Sequence, residues 1–405
     1  MNAPHSPSLL ASVSMAPKDP ILGITELYVA DRNPNKVNLG AGVYCDENGK
    51  VPLLECVRGV EQQQAQTGAP RPYLPIDGLQ AYDQAVQALV FGADAAVLKD
   101  KRVVTVQALG GTGGLRIGAD FLKQLSPEAQ VWISDPSWEN HRALFEGAGF
   151  KVNSYPYYDA ATRGLKFEAM LAALDALPAG AIVVLHSCCH NPTGVDLSQE
   201  QWRKVLAAVQ ARNLVPFLDL AYQGFAEGID ADAYAARLFA GAMSPVFLSS
   251  SFSKSLSLYG ERVGAFSLVA GSADEAARSL SHLKRIVRTS YSNPPTHGGD
   301  IVARVLTNPD LRKLWEKELG GMRDRIKAMR KELADGVKQR VPGTDWSFVL
   351  RQTGLFSYTG LTKVQVERLR TEFSIYTIET GRVCVPALNT KNIGYICDAI
   401  AKVIR

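Results

Sequence analysis

The chain is short of the features that mark several protein classes. Six cysteines in 405 residues do not make the disulfide framework of a secreted domain, and they point to a reduced, cytoplasmic home. The longest apolar runs, such as Ala181 to Leu185, fall far below the roughly 20 residues that a membrane span requires. No Lys or Arg precedes Lys18, so the start lacks the charged region of a secretory signal. Residues 1–18, rich in Ser, Pro and Ala, are expected to form a flexible segment. Charge of one sign is also scarce. Lys and Arg number 44 against 40 Asp and Glu, a net +4 without a basic tract, so neither nucleic acid nor a membrane surface is implied as a partner.

What is present fits a soluble protein of two domains, because single hydrophobic cores stop growing at roughly 250–300 residues. Short β-branched runs alternate with amphipathic stretches from about residue 100 to 270. Strands are expected at Val103–Leu109, Val131–Ser134, Ile182–His186, Val215–Asp219, Val246–Ser249 and Gly264–Val269. Helical patterns lie between them at Leu115–Leu125, His141–Gly147 and Gln199–Gln210. This alternation argues for an α/β fold with a mostly parallel, helix-covered sheet. Beyond Pro309 the pattern changes to a long charged helix over Leu311 to Arg340. Short strands are expected after it at Phe348–Leu350, Phe356–Tyr358 and Val383–Val385, giving a smaller α+β unit.

The adjacent Cys188, Cys189 and His190 raise the question of a metal. Neighbouring side chains rarely converge on one ion, and no second pair completes a ligand set. Packing is the better account, and no metal is expected. The strand ends are more informative. GGTGG at 110–114, SDPSWENH at 134–141, HSCCHNPTG at 186–194, DLAYQG at 219–224 and SSSFSK at 249–254 would all face the crevice in which open α/β sheets bind ligands.

Gly110 to Gly114 stand between a strand and a helix, where backbone N–H groups can approach an anion and Thr112 adds a hydroxyl. Alone, the run reads equally well as a tight turn. Lys254 follows a strand and a Ser-rich turn. A lysine is ordinarily a solvated charge, but in such a loop it can bond covalently to an aldehyde cofactor. Ser251 and Arg262 would then offer hydrogen bonds to a phosphate.

These motifs occur in a series: VNLGAGVY (37–44), YLPIDG (73–78), GGTG (110–113), SDPSWENH (134–141), CCHNPTG (188–194), DLAYQGF (219–225), SFSK (251–254), LYGERVG (258–264), YSNPP (291–295) and GRVCV (381–385). From about Asp19 to Arg405 the chain resembles the class I aminotransferases of pyridoxal-phosphate fold type I, in their aspartate/aromatic subgroup. The resemblance implies a large cofactor domain, residues 53–310, with a mostly parallel seven-stranded sheet covered by helices. A smaller α+β domain would combine residues 19–52 and 311–405. It implies pyridoxal 5'-phosphate, carried by Lys254, which also shuttles the substrate proton. Asp219 would bond to the pyridine nitrogen, Tyr222 and Asn191 to the phenolic oxygen, and Trp138 would stack on the ring.

The phosphate would be held by Gly111, Thr112, Ser251, Arg262 and a partner subunit's Tyr73, which makes a homodimer functionally required. His141 and His186 would lie beneath the ring; without the resemblance both read as structural histidines. Arg382 would clamp the substrate α-carboxylate bidentately, near Gly42, Trp138 and Asn191. A partner subunit's Arg288 would meet a distal carboxylate.

The implied reaction is ping-pong transfer of an amino group to 2-oxoglutarate. Arg288 supports dicarboxylic substrates, whereas Val51, Pro72 and the DPSWENH wording lean toward aromatic ones. Thr112, Asn293 and Val43 look more like aspartate enzymes. The favoured expectation is an aromatic aminotransferase acting on tyrosine and phenylalanine that also takes aspartate; the alternative is a strict aspartate aminotransferase. A decarboxylase or lyase on the same cofactor is disfavoured by Arg382. A non-enzymatic regulator domain would need about 50 further residues for DNA binding and would not need Lys254 and Arg382 together.

Overall fold

The computed structural model describes residues 8–16 and 20–405. Of the expected flexible segment, residues 1–7 and 17–18 lie outside the described residues; Leu9–Ser12 form one 3-10 turn, capped by the Ser8 hydroxyl. A seven-stranded sheet forms the centre. Its order from one edge is Val103–Leu109, Val263–Val269, Val246–Ser251, Val215–Leu220, Ile182–His186, Gln130–Asp135 and Lys151–Pro156. Val263–Val269 runs antiparallel to both neighbours, and every other pair is parallel. The strands at 103, 182 and 263 are buried almost throughout, as expected for strands covered by helices on both faces.

Each expected strand of this sheet is present. Lys151–Pro156 is an addition. Its sequence, KVNSYP, is polar and ends in proline, which suits a sheet edge that pairs on one side only. That composition hides it from a search for apolar runs. Because all strands but Val263–Val269 point the same way, their carboxyl ends share one side of the sheet. The start of the reversed strand joins them there: Val263 pairs with Leu109, and Gly264 with Ser251.

The helix Gly110–Leu125 begins at the glycines themselves. Gln199–Ala211 starts with a capping box between Ser198 and Gln201. The long helix is Pro309–Arg340; Asn308 caps its first turn and Pro309 fits it. Its buried face includes Trp315, Leu319, Met322, Ile326, Met329 and Leu333, a spacing of three and four. The ends of the chain meet: Val37 and Asn38 pair in parallel with Ile375 and Tyr376. Phe356–Tyr358 pairs antiparallel with Arg382–Cys384.

Two expected strands need correction. Phe348–Leu350 is not extended but lies in a 3-10 turn, Ser347–Arg351, with Val349 N–H bonded to Trp346 O at 3.2 Å. Phe348 and Val349 are buried in succession, whereas a strand with one solvent face would alternate. The strand expected at Val383–Val385 sits one residue earlier, because Val385 and Pro386 open another 3-10 turn. Proline has no N–H to give a ladder.

Gly118 shows how tightly the helix Gly110–Leu125 lies on the sheet. A Cβ there would come within 2.5 Å of Phe217 Cζ and 2.6 Å of Phe266 Cε2. Alanine would improve helix propensity by roughly 1 kcal/mol, but overpacking against two buried rings outweighs that. Gly118→Ala should lower unfolding stability by about 1–3 kcal/mol in urea denaturation. An unchanged or raised midpoint would contradict this packing.

Candidate active site

The shared carboxyl edge of the sheet opens into a crevice of about 440 Å³. Its walls include Gly42, Gly111, Thr112, Trp138, His186, Asn191, Asp219, Tyr222, Ser251, Lys254, Arg262 and Arg382. Strand register explains this convergence. His186 pairs with Asp219, and Asp219 with Ser249, on adjacent parallel strands. Lys254 follows the Val246–Ser251 strand by three residues, and Arg262 directly precedes the reversed strand. Arg262 has φ +54°, a left-handed turn that a non-glycine residue enters only under local constraint. Its Nη1 donates to Tyr259 O at 2.8 Å and to Ser253 Oγ at 3.4 Å.

Asp219 and Lys254 set the electrostatics. Burial alone would make the Asp219 carboxyl harder to ionise. The His141 hydrogen bond, Nε2 to Oδ2 at 2.9 Å, and the fields of His141, His186 and Lys254 outweigh it, so its pKa lies below the ordinary value. The carboxylate accepts, so His141 carries a hydrogen on Nε2, and its Nδ1 lies 2.9 Å from the Ser137 hydroxyl. Burial, reinforced by His141, lowers His186 to about 3, which leaves it neutral. Lys254 is brought down to about 8, mainly by burial and further by Arg262, with Asp219 opposing. Its Nζ lies 5.0 Å from the centre of the Tyr222 ring, and burial keeps that phenol protonated.

Across the crevice, Arg382 is 1% exposed. It donates from Nη1 to Asn191 Oδ1 at 3.0 Å and from Nη2 to Gly40 O at 2.9 Å. Its Nε has no partner. Burial makes the charged form less favourable, so a carboxylate meeting this edge would relieve an unmet demand. The face of the guanidinium lies 4.1 Å from the centre of the Phe356 ring.

Tyr73 and Arg288 are not in the crevice of this chain. Tyr73 is 92% exposed; Arg288, near the end of the helix Ala273–Tyr291, donates to Ser292 Oγ. Five wall residues were not singled out from the sequence: Leu115, Ala221, Ser253, Tyr259 and Phe356. Ser253 and Tyr259 lie within motifs already singled out. Phe356 comes from a distant, ordinary apolar strand and gave no local signal. A larger hollow, about 630 Å³, lies elsewhere. Its Lys36 is already committed to the carbonyls of Tyr28 and Asp31, and it gathers no comparable pair of acid and base. Among the described residues Cys188, Cys189 and Asp232 approach metal-like spacing. Asp232, however, already accepts N–H bonds from Gly224, Ala226, Glu227 and Gly228. His190 turns instead to Ser134 and Thr193.

The residues present fit pyridoxal phosphate. Asp219 Oδ1 takes no hydrogen bond from the protein, although Oδ2 does, which leaves an acceptor for a ring N–H. Gly110 and Gly111 clear the cradle: a Cβ on Gly110 would meet Arg262 Nη2 at 2.6 Å, and one on Gly111 would meet Ser251 Cβ at 3.2 Å. There the first turn of the helix Gly110–Leu125, the Thr112 and Ser251 hydroxyls and the Arg262 guanidinium form a donor set for a phosphate.

An α/β enzyme with a half-buried lysine and a buried carboxylate at adjacent strand ends, faced by a buried arginine, is the class that this fold and site define. The signature of the family described as aminotransferase class I and II matches residues 34–400, and the chain belongs to that family. It is 58% identical to an aspartate aminotransferase of Pseudomonas aeruginosa, covering 98% of this chain and 100% of that one. It superposes with TM-score 0.97, at 61% identity, on an aromatic-amino-acid aminotransferase of Burkholderia pseudomallei covalently bound to pyridoxal phosphate, covering 98% and 100% of the two chains. An aromatic aminotransferase of Psychrobacter sp. B6, cocrystallised with aspartic acid, matches with TM-score 0.96 and 47% identity, again over 98% and 100%. The protein is a transaminase. Among the described residues no helix is long and apolar enough to cross a membrane.

The lysine can be tested without turnover. In cofactor-free protein, amine labelling of Lys254, followed by peptide mass, should rise with a midpoint near pH 8 instead of the ordinary 10.5. Burial favours the neutral amine, so the reactive form appears at lower pH. A midpoint near 10.5 would refute the electrostatic picture.

Proposed function

We propose that the crevice holds pyridoxal phosphate and transfers the amino group of tyrosine, phenylalanine or aspartate to 2-oxoglutarate. One observation carries this: the half-buried Lys254 amine and the buried Asp219 carboxylate at adjacent strand ends, opposite the unsatisfied edge of Arg382. When bound, the cofactor supplies an aldehyde for covalent capture of an amine and a protonated ring that withdraws electrons.

Each residue then has a task. Lys254 Nζ would hold the cofactor covalently and, as a general base, would take up and return the proton at the substrate α-carbon. Its lowered pKa leaves part of it unprotonated near neutrality. Asp219, kept ionised by His141, holds the proton on the pyridine nitrogen. Asn191, whose Oδ1 already accepts from Arg382, has its amide N–H free for the phenolic oxygen, which Tyr222 also meets. Trp138 covers the ring, with its indole edge-on to His141 at 5.3 Å. Gly111, Thr112, Ser251 and Arg262 hold the phosphate. Arg382 binds the α-carboxylate beside Gly42, where the absent side chain leaves room.

Tyr73 and Arg288 act from the partner of a homodimer, Tyr73 on the phosphate and Arg288 on a distal carboxylate. Their distance from this chain's own crevice supports that division. Within one chain we infer a small unit of 19–52 with 311–405 against a large unit of 53–310, a division that the pairing of Val37 with Ile375 supports. Six free thiols support a reduced, cytoplasmic setting. The relatives' names favour a site that accepts both side-chain classes, and the aromatic enzyme cocrystallised with aspartic acid is a precedent. A strict aspartate enzyme is the second reading, favoured by the name of the Pseudomonas relative.

Single-turnover mixing of holoenzyme with each amino acid separates these. Phenylalanine, tyrosine and aspartate should each convert the cofactor's absorbance; conversion by aspartate alone would leave only the strict reading. Asp219→Asn should lower kcat by about a hundredfold or more, since a preorganised charge is lost, and Lys254→Ala should abolish turnover. The shared site predicts complementation. A mixture of Lys254→Ala and Arg288→Ala chains should regain about a quarter of wild-type aspartate activity through hybrid dimers with one intact site. No recovery would place Arg288 outside the partner's site.

A further inference from the structure

Arg330 is a buried guanidinium without an acid. It lies on the inner face of Pro309–Arg340 at 3% exposure and forms no ion pair among the described residues. Burial makes its charged form less favourable, bringing it to about 10, with the fields of Cys189 and Asp196 opposing. An apolar side chain of similar volume would often stabilise such a position as well or better, so its contacts matter. Nη2 donates to Gly354 O at 2.6 Å and to Phe356 O at 2.8 Å; Nη1 donates to Ser357 Oγ. A planar fork thus grips one short segment at several points.

That segment carries Phe356, whose ring lies 4.1 Å from the Arg382 guanidinium carbon. The ring is confined on its other sides. A Cβ on Gly42 would approach Phe356 Cζ to 2.8 Å, and the Tyr222 ring meets it edge-on at 6.1 Å. Upstream, Thr353 is tied to the loop that bears Asn191: its N–H donates to Gly194 O at 2.7 Å and its hydroxyl to Asp196 at 2.6 Å. Asp196 in turn accepts from the Cys189 and His190 N–H groups. Two of the three supports of Arg382, the Asn191 amide and the Phe356 ring, therefore hang from one braced segment.

We propose that Arg330 is a positioning residue for the substrate carboxylate. By fixing residues 354–357 it keeps Phe356 flat on one face of Arg382, so that the free edge with Nε meets the incoming carboxylate. This rests on the assignment of Arg382 as the carboxylate clamp. Arg330 touches neither substrate nor cofactor, so its loss should weaken binding of every carboxylate alike and spare the chemical step.

The test compares holoenzymes of wild type, Arg330→Met and Arg330→Lys. For Arg330→Met, KM for tyrosine, aspartate and 2-oxoglutarate should each rise about tenfold with kcat within about threefold of wild type. The dissociation constant of 3-phenylpropionate, a carboxylate without an amine, read from cofactor absorbance, should rise by the same factor. Arg330→Lys, which keeps the charge but not the fork, should still raise KM about threefold or more. A lower Tm with unchanged KM at a temperature where each variant is folded would make Arg330 merely structural and overturn the proposal. A fall in kcat at constant KM would overturn it too. If Arg330→Met yields no folded holoenzyme, Arg330→Lys decides by the same criteria. Wild type that fails to transaminate would instead defeat the assignment of the site itself, before any variant is compared.

Discussion

The site depends on keeping one carboxylate ionised where burial opposes it. Asp219 sits in a pocket that would by itself favour the neutral acid. The hydrogen bond from His141, together with the fields of neighbouring groups including Lys254, reverses that preference. Everything nearby follows from the same pair. Lys254 can be buried because Asp219 partly offsets the loss of water, yet burial still wins and its amine remains easy to deprotonate. His186 and His190 stay uncharged beside it: both are held low by burial, and neighbouring imidazoles add to the effect. The result is a negative group, a readily neutralised amine and a wall of inert rings within one low-dielectric space.

Much of this was legible in the sequence because the chemistry is concentrated at strand ends. Lys254, Asp219 and Asn191 each lie just beyond or at the end of a β-branched run, where parallel strands bring such ends together, and Arg262 joins them at the start of the reversed strand. The Gly110 run was ambiguous as sequence; in the structure it opens the helix Gly110–Leu125 beside the Arg262 guanidinium. Less legible were features that depend on distant segments. Phe356 lies in an ordinary apolar strand, and only its pairing with Arg382–Cys384 brings it to the crevice. The turn at Ser347–Arg351 contains apolar residues that resemble a strand, but two neighbours are buried together. The edge strand Lys151–Pro156 carries too few apolar residues to announce itself. Tyr73 and Arg288 could be named from motifs, although nothing local to either explains a role.

The Arg382 side of the crevice is built differently from the Asp219 side. Asp219 is stabilised by a direct charged contact, whereas Arg382 is supported by a carbonyl, an amide and an aromatic face. Such partners orient a guanidinium without neutralising it. In the carboxylate-binding role proposed for it, Arg382 would be in place before the anion arrives and would need no displaced counter-ion to receive it.

The reversed strand has a consequence of its own. Val246–Ser251 and Val263–Val269 form a hairpin whose connecting loop bears both Lys254 and Arg262, and its register is pinned by Ser251 opposite Gly264. With the roles proposed for Lys254 and Arg262, the covalent attachment point and the phosphate grip would be two marks on one ruler. Insertion or deletion of a residue in that loop would change the interval between them, whatever became of either side chain. The hairpin would thus gauge the length of its ligand, admitting a molecule whose aldehyde and phosphate are spaced to match and leaving a shorter analogue tethered at only one end.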